Sequence, residues 1–311
     1  MINAEESQIN VICTNSVLAD FTKNILNRDV TIEYIMPAGV CPAQFDTTPS
    51  DITKITSANI IISLGWEPWL DSLISSSGNT DVNQIKCGDL GEWNIPSGAK
   101  QYVEIIRDGL TEVLSEQKED IEKNTQEYID EIDKTSDDLK DLIDSTGNVN
   151  KKIICMQWHE DFLNWLELDI VYSYGPPSGL SMKDEVDVIN AATNNEVYVV
   201  IDNLQSGTEF GARMASESGA SHVIFTNFPG AIPNTDTYLD MITYNTNQLI
   251  NGINIYNYKQ TEKTSLGLTA AQLDSEISTL ELQRNASLTG VFILGILVIV
   301  LLALYKRNKG G

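Results

Sequence analysis

Residues 36–70 read MPAGVCPAQFDTTPSDITKITSANIIISLGWEPWL. The stretch begins where one short apolar run of the chain ends, and it contains a second. The run Val30 to Met36 and the run Ile60 to Leu64 each predict a β-strand. Between them, Thr48-Pro49-Ser50-Asp51 predicts a helix start, with a cap at Thr48, proline in the first turn and an acidic residue three positions after the cap. A strand–helix–strand unit of this kind predicts an α/β fold with parallel strands.

The same alternation of apolar runs and helical spacings continues on both sides of this segment, and Glu196 to Ile201 is one of the runs that predict a strand. We expect two lobes, at 1–116 and 148–258, each with a mostly parallel β-sheet flanked by helices. Residues 117–147 carry no strand signal and one narrow apolar stripe, which predicts a single long connecting helix. Ligands of open α/β sheets bind beyond the carboxyl ends of the strands, so we expect a binding site in the cleft between the lobes.

After the second lobe the sequence predicts a polar linker and stalk helix at 259–287 and a transmembrane helix at 288–305. Residues 288–305 contain no charged side chain and would form a helix about 27 Å long, enough to cross a bilayer core. The basic tail at 306–311 is expected on the cytoplasmic side, which predicts a single-pass cell-membrane protein whose lobes are extracytoplasmic. No signal peptide is visible, so we expect a leader that was removed or lost, the alternative being a cytosolic tail-anchored protein.

The charge balance excludes one class of partner. The chain carries 44 acidic and 20 basic residues, for a formal net charge of −24. A nucleic-acid-binding surface needs clustered Lys and Arg, so no nucleic-acid partner is expected. The excess of acidic residues is typical of a solvated surface, and it would also concentrate cations near the protein.

Several short motifs follow the predicted strands in order. They are Pro37, Gly39, Pro42, Phe45, Asp46 and Pro49-Ser50-Asp51, then Gly65-Trp66-Glu67-Pro68-Trp69-Leu70, Trp93-Asn94-Ile95-Pro96, His159-Glu160-Asp161-Phe162, and Tyr238 to Met241 with Asn245. In order and spacing, from the first strand to Ile253, they resemble the metal-binding solute receptors of ABC importers, the zinc, manganese and iron cluster. The resemblance implies a receptor that captures a metal between two lobes and hands it to a permease.

The resemblance also implies where a metal would be held. In that family four side chains hold the ion, two from each lobe, and they are mostly histidines with one aspartate. Carried over by position, the slots fall at Ala43, Gly91, His159 and Asn227. His159 is the one family ligand retained, Ala43 and Gly91 are vacant slots, and Asn227 stands in place of the aspartate.

Acidic residues offer one set of replacement ligands. Glu92 adjoins the vacant slot at Gly91, and Asp202 is expected just beyond a strand. Further acids in comparable places are Asp46, Asp89, Glu160 and Asp161. Carboxylates with one imidazole would suit Mn²⁺ or Fe²⁺, and the alternative is that these residues are helix caps and loop charges.

The cysteines offer a second set. Cys13, Cys41, Cys87 and Cys155 all fall at or just after predicted strand ends, so all four are expected to face the cleft. Thiolates there, with Met156, would suit a soft ion such as Cu⁺. Two alternatives stay open: a disulfide, of which Cys13–Cys41 and Cys41–Cys87 are the plausible pairings, and four buried, unreactive thiols.

The sequence therefore predicts a membrane-anchored solute-binding subunit of an ABC importer, with the permease and its ATPase as partners. The ligand is expected to be a transition metal ion (Zn, Mn, Fe or Cu) or a metal complex. No P-loop, nucleophile motif or catalytic triad is found, so no enzyme activity is expected. The alternative is an interaction, regulatory or adhesin-like protein that kept the fold and lost metal binding.

Overall fold

The computed structural model describes residues 9–26, 30–88 and 92–309, without the side chains of 284–293 and 295–309. Among these residues the strands are β1 (Ile9–Cys13), β2 (Val30–Tyr34), β3 (Ile60–Ser63), β4 (Asn83–Lys86), β5 (Lys152–Met156), β6 (Asp169–Tyr174), β7 (Val199–Asn203) and β8 (Ser221–Phe225). The α-helices are α1 (Ser16–Ile25), α2 (Pro49–Thr56), α3 (Leu70–Ser77), α4 (Pro96–Val113), α5 (Lys118–Ser145), α6 (Glu160–Trp165), α7 (Met182–Asn195), α8 (Glu209–Ser218) and α9 (Tyr238–Lys309).

The strands form two parallel four-stranded sheets with the same internal order. The first has the order β2-β1-β3-β4 and the second β6-β5-β7-β8, with every paired strand parallel. Helices connect the strands, as parallel crossovers require. The predicted fold of two α/β lobes with parallel sheets is confirmed. In each lobe the carboxyl ends of the strands lie at one edge of the sheet, which is where a ligand would bind.

The helix start predicted at Thr48 is also present. The Thr48 N–H donates to Asp51 Oδ2 at 2.8 Å, and the Thr48 side chain completes the capping box. Two backbone N–H groups at the N-terminal end of α2 thereby gain hydrogen-bond partners, which stabilises the first turn of the helix.

One apolar core runs through both lobes. It includes Val11 and Ile62 of the first sheet, Ile153 and Ile201 of the second, and Ile132 of the long helix α5 between them. α5 packs against α1 and α4. Because a close-packed core resists deformation, relative movement of the lobes is expected to be small.

The second sheet corrects one strand boundary. We expected a strand from Glu196 to Ile201, whereas β7 begins at Val199 and extends to Asn203. Glu196 instead ends α7 in the left-handed region, with φ 53°, and its N–H donates to the carbonyl of Ala192. This helix cap delays the strand and places Asp202 inside it.

The chain divides into two compact units, one ending at Tyr256 and one beginning at Asn257. The second unit consists of the continuation of α9, and its described side chains up to residue 283 are mostly exposed. Within the described part of the chain, no helix is long and apolar enough to cross a membrane. The span predicted at 288–305 is thus not supported by the structure; apart from Leu294, its side chains lie outside those described.

Candidate functional site

His159 lies in a short turn between β5 and α6, at the carboxyl edge of the second sheet. It is almost fully buried, and burial lowers the pKa of its imidazole to about 3, so the ring is neutral at physiological pH. Its Nε2 lies 3.2 Å from Nδ2 of Asn203. Because Asn203 Oδ1 accepts from the Ser206 N–H, the amide nitrogen faces the ring, so Nε2 accepts and Nδ1 carries the proton.

Gln205 joins the two lobes at this edge, and sequence reasoning missed it. Its Nε2 donates to the Ala38 carbonyl oxygen of the first lobe at 2.8 Å and to Thr226 Oγ1 at 2.9 Å. Its Oε1 accepts from the Asn227 N–H at 3.3 Å. The side chain is buried, so it connects the loop that follows β2 to the loop that follows β8 away from water. No motif in the sequence marked this residue.

The first lobe contributes two further bridges. Nε1 of the fully buried Trp93 donates to the Asn227 carbonyl oxygen at 2.8 Å, and Asn94 Nδ2 donates to the Trp158 carbonyl oxygen at 3.1 Å. The side-chain Oδ1 of Asn227 is buried and finds no donor among the described residues. A buried acceptor without a donor is costly, which is typical of a position that a ligand or water completes.

Of the two family slots in the first lobe, Ala43 is described and offers no ligand atom. Ala43 is exposed in the short turn Pro42–Gln44, and Glu92 is exposed in the turn Glu92–Asn94. Gly91, like Asp89, lies outside the described residues. Ala43 carries no donor atom, so among described residues the first lobe offers backbone groups and indole or amide donors instead of metal ligands.

The motif Gly65 to Leu70 is explained by local structure. The Glu67 carboxylate turns back on its own loop and accepts from the N–H of Leu64 at 2.8 Å and of Gly65 at 2.9 Å. Gly65 has φ +92°, a conformation that side chains with a Cβ rarely adopt. These residues hold the turn after β3 and do not point to a ligand.

Asp202 lies on the opposite side of the second sheet from the cleft, which corrects its prediction as a ligand. Its Oδ1 accepts from the Tyr174 hydroxyl at 2.7 Å, and its Oδ2 lies 2.8 Å from His222 Nε2. A Cβ added at Gly211 of α8 would come within 2.3 Å of Oδ2. Successive strand residues face opposite sides, so Asn203 faces His159 and Asp202 packs under α8.

The four cysteines are free, and they do not form a ligand set. Cys13, Cys87 and Cys155 are buried, whereas Cys41 is half-buried. Burial raises the pKa of Cys13 to about 12 and also raises those of Cys87 and Cys155, so these thiols stay protonated. Neither predicted disulfide is present, and the expectation that all four thiols converge on the cleft is wrong because three of them pack into the core.

Across the described residues, no three or more His, Cys, Asp and Glu side chains cluster closely enough to hold a metal ion. Asp46 and Asp161 are exposed, and Glu160 is half-buried at the start of α6. The edge between the lobes is therefore lined by one neutral imidazole and by amide groups. Among the described residues this set can bind a ligand through hydrogen bonds, and His159 Nε2 could coordinate a metal if Asn203 Nδ2 released it.

Known proteins share both the sequence pattern and the fold. The chain is 27% identical over 118 residues to the manganese-binding lipoprotein MntA of Halalkalibacterium halodurans, covering 33% of this chain and 39% of that protein. It is 27% identical over 153 residues to the manganese ABC transporter substrate-binding lipoprotein ScaA of Streptococcus gordonii, covering 41% and 49%. The chain thus matches less than half the length of these relatives.

Solved structures show the same architecture over a longer stretch. The Mn-bound periplasmic metal binding protein from Candidatus Liberibacter asiaticus superimposes with a TM-score of 0.67 at 19% identity, covering 79% of this chain and 99% of that one. A crystal structure of ZnuA gives a TM-score of 0.67 at 16% identity with the same coverage. At these identities the likeness concerns the fold.

A family model described as zinc-uptake complex component A, periplasmic (ZnuA), matches residues 11–252. This match includes the connecting helix and both sheets except the first two residues of β1, and it contains His159, Asn203, Gln205 and Asn227. Because the match extends over more than half of the chain, the chain belongs to the ZnuA family.

Proposed function

We propose that the chain is the solute-binding subunit of an ABC importer, which holds its ligand at the interlobe edge and delivers it to a permease and ATPase. The observation that carries the proposal is His159, buried and neutral at the position where the family pattern has a metal ligand. A neutral imidazole is the form that binds metals. The names of the relatives, which are manganese-binding or substrate-binding lipoproteins, support the same role.

We propose a transition metal ion, and more specifically a metal complex, as the cargo. An open Zn²⁺ site uses three protein ligands, and among described residues His159 has no His, Cys, Asp or Glu companions for such a set. A complex that brings its own donors needs fewer protein ligands. The Oδ1 of Asn227 would then accept a hydrogen bond from its outer atoms, and Asn203 Nδ2 would have to release His159 Nε2 for that nitrogen to coordinate the metal.

Metal analysis of the purified protein under reducing conditions tests this proposal. We expect about one Zn, Mn, Fe or Cu per chain after incubation with the ions, alone or with a small chelator, followed by desalting. His159→Ala is expected to lose this metal, and the matched control His222→Gln is expected to keep it. If the wild-type protein binds no transition metal at micromolar concentration in either form, the metal-receptor function is wrong.

We also propose that the lobes are held at the outer face of a cell membrane by residues 288–305. The support is the sequence, which is uncharged over this stretch and followed by Lys306 and Arg307. Fractionation of cells that express the full chain or a chain ending at residue 287 tests it. The full chain should sediment with membranes and the shorter chain should not; equal release of both would contradict the anchor.

A second candidate function is an interaction protein that uses the fold without transport. It is favoured by the bridges that already join the lobes, in which Gln205 contacts Ala38 and Trp93 contacts Asn227. Gene neighbourhood discriminates between the two: adjacent permease and ATPase genes support transport, and their absence supports the interaction role.

A further inference from the structure

Asn203 binds two different parts of the interlobe edge with the two ends of one amide group. Its Nδ2 donates to His159 Nε2 at 3.2 Å, and its Oδ1 accepts from the Ser206 N–H at 3.1 Å. Asn203 and His159 are each 1% exposed, so water does not compete for the bond between them. The side chain therefore connects the imidazole to the short turn Leu204–Ser206, of which it is the N-terminal cap.

The amide of Asn203 cannot stay in place when another atom takes His159 Nε2. A metal bound to an imidazole lies about 2 Å from the nitrogen along its lone pair, which leaves no room for Nδ2 at 3.2 Å. A half-turn of the amide would set two acceptors together at the imidazole and two donors together at Ser206. The planar group must therefore swing away as a unit, and the turn loses its cap.

The turn that loses this cap carries the side chain that joins the lobes. Gln205 is 8% exposed, and its Nε2 donates to the Ala38 carbonyl oxygen of the first lobe at 2.8 Å. Its Oε1 accepts from the Asn227 N–H at 3.3 Å. We call these two bonds the interlobe bridge. The bond to Asn227 is already long, so a small shift of the turn is enough to break it.

We propose that Asn203 controls access to His159 Nε2 and couples the binding of cargo to the interlobe bridge. This inference rests on the proposed function, because the cargo is the group that displaces Asn203. Without cargo the amide holds Nε2 and the bridge is formed. When a metal takes Nε2, the turn is released and the bridge weakens. Coupling between two sites is reciprocal, so weakening the bridge must also strengthen metal binding.

Nitrogen NMR of the metal-free full chain tests the hold of Asn203 on the ring. The chain has two histidines, so His222→Gln assigns the ring signals. His159 is expected to have a bare Nε2 in the wild type and a protonated Nε2 in Asn203→Asp, whose carboxylate accepts at that position and keeps the side-chain volume. The same ring state in both proteins would overturn the control by Asn203, whether or not any metal binds.

Hydrogen exchange of the metal-free full chain tests the link from Asn203 to the bridge. Asn203→Ala removes the cap, and exchange of the Ser206 and Asn227 N–H groups is expected to be at least about tenfold faster. The matched control is Asn195→Ala, which removes an amide that bonds to α7 in the same lobe and should leave both rates unchanged. Faster exchange at Ser206 alone would separate the cap from the bridge and overturn the coupling.

Titration with Zn²⁺, alone and as its iminodiacetate complex, measures the reciprocal effect, counted as the binding that His159→Ala loses. Asn203→Ala is expected to bind about tenfold tighter, because one hydrogen bond no longer has to be displaced. Gln205→Ala is expected to bind at least about fivefold tighter, and Asn195→Ala should match the wild type. Weaker or unchanged binding by Gln205→Ala would overturn the coupling.

The two proposals fail in different ways. Absence of zinc binding in the wild type and in all variants contradicts the cargo, and with it the coupling to the bridge. The ring states of His159 measured without metal still decide whether Asn203 holds Nε2. If zinc binds to the wild type but Gln205→Ala binds it no better, transport stands and the coupling is wrong.

Discussion

The two lobes have the same strand order but use their buried carboxylates differently. In the second lobe Asp202 is fully buried, and its partners Tyr174 and His222 belong to the same sheet. In the first lobe Asp20 of α1 is buried, and both of its partners lie on other elements. The Tyr128 hydroxyl of α5 donates to it at 3.2 Å, and the Tyr238 N–H at the start of α9 donates at 2.8 Å.

The difference indicates that the second lobe is stabilised by contacts within itself. The first lobe is held in place at the junction, meaning the contacts that join it to α5, to the start of α9 and to the second lobe. The cleft shows the same division. The side chains that line it come mainly from the second lobe, at His159, Asn203 and Gln205. The first lobe contributes the Ala38 carbonyl oxygen and the indole of Trp93. The variants below test whether changes in one lobe act locally and changes in the other act on the junction.

Asp202→Ala is expected to have the largest effect. It would leave the Tyr174 hydroxyl and His222 without their acceptor in a buried site and open a small cavity, at a cost of about 3–5 kcal/mol. Urea denaturation followed by circular dichroism measures the free energy of unfolding. The matched control is Asp187→Ala in the same lobe, where an exposed pair with Lys183 should contribute less than about 1 kcal/mol. Equal losses for both variants would contradict an internally stabilised second lobe.

Asp20→Asn should change how the stability of the junction depends on pH. Burial raises the pKa of Asp20 from 3.8 to about 6, and the negative charge of Asp240 adds to this rise. The hydrogen bonds from Tyr238 and Tyr128 and the positive charge of Lys23 offset only part of it. Since the folded state then holds its proton more tightly than the unfolded state, this residue favours folding below pH 4 and loses that contribution as pH rises through 6.

The wild-type protein should therefore lose on the order of 2 kcal/mol more than Asp20→Asn between pH 4 and pH 7. Unfolding midpoints measured across this range would show it, with Asp130→Asn on the exposed face of α5 as the control that keeps the wild-type slope. Parallel slopes for wild type and Asp20→Asn would show that Asp20 does not titrate at the junction.

Much of the fold could be predicted because its determinants are local. The capping box at Thr48 and Asp51 depends on four consecutive residues. The strands are short apolar runs between polar ones. The start of β7 was mispredicted because Glu196 adopts a left-handed cap, with φ 53°. Strand boundaries therefore carry the largest error.

The site was less predictable for a related reason. Asp202 was expected just beyond a strand end, whereas β7 extends to Asn203. Because successive strand residues face opposite sides of the sheet, Asn203 faces His159 and Asp202 does not. The same parity places Cys13 and Cys155 in the core. Gln205 was missed because its role depends on the distance between two lobes, and no short motif encodes that distance.

Gln205→Ala should weaken the junction without unfolding either lobe. It removes hydrogen bonds to Ala38, Thr226 and Asn227 and leaves the buried Ala38 carbonyl oxygen and the Asn227 N–H without these partners, which predicts a loss of about 1–2 kcal/mol. Hydrogen exchange should show faster exchange in the loops at Ala38 and Asn227 with unchanged protection of β5 and β7. The control Gln157→Ala is exposed in the same lobe and should change neither. Uniform loss of protection throughout the second lobe would contradict a role at the junction.

The rate at which each cysteine reacts should depend on its burial rather than on its lobe. Labelling is expected to change the free energy of unfolding less than any of the substitutions above. At pH 7.5 a maleimide should modify Cys41 rapidly in the native protein, because the other three thiols are shielded and their raised pKa values keep them protonated. Peptide mass spectrometry counts the adducts, with all four expected in denaturant and no fast adduct in Cys41→Ser. Rapid native labelling of Cys155 would show that the second lobe opens on its own, which would reverse the division of roles between the lobes.

Repeating the reaction with metal present adds one further distinction. Protection of Cys41 by the metal would place its loop next to the ligand and would give the first lobe a direct part in binding.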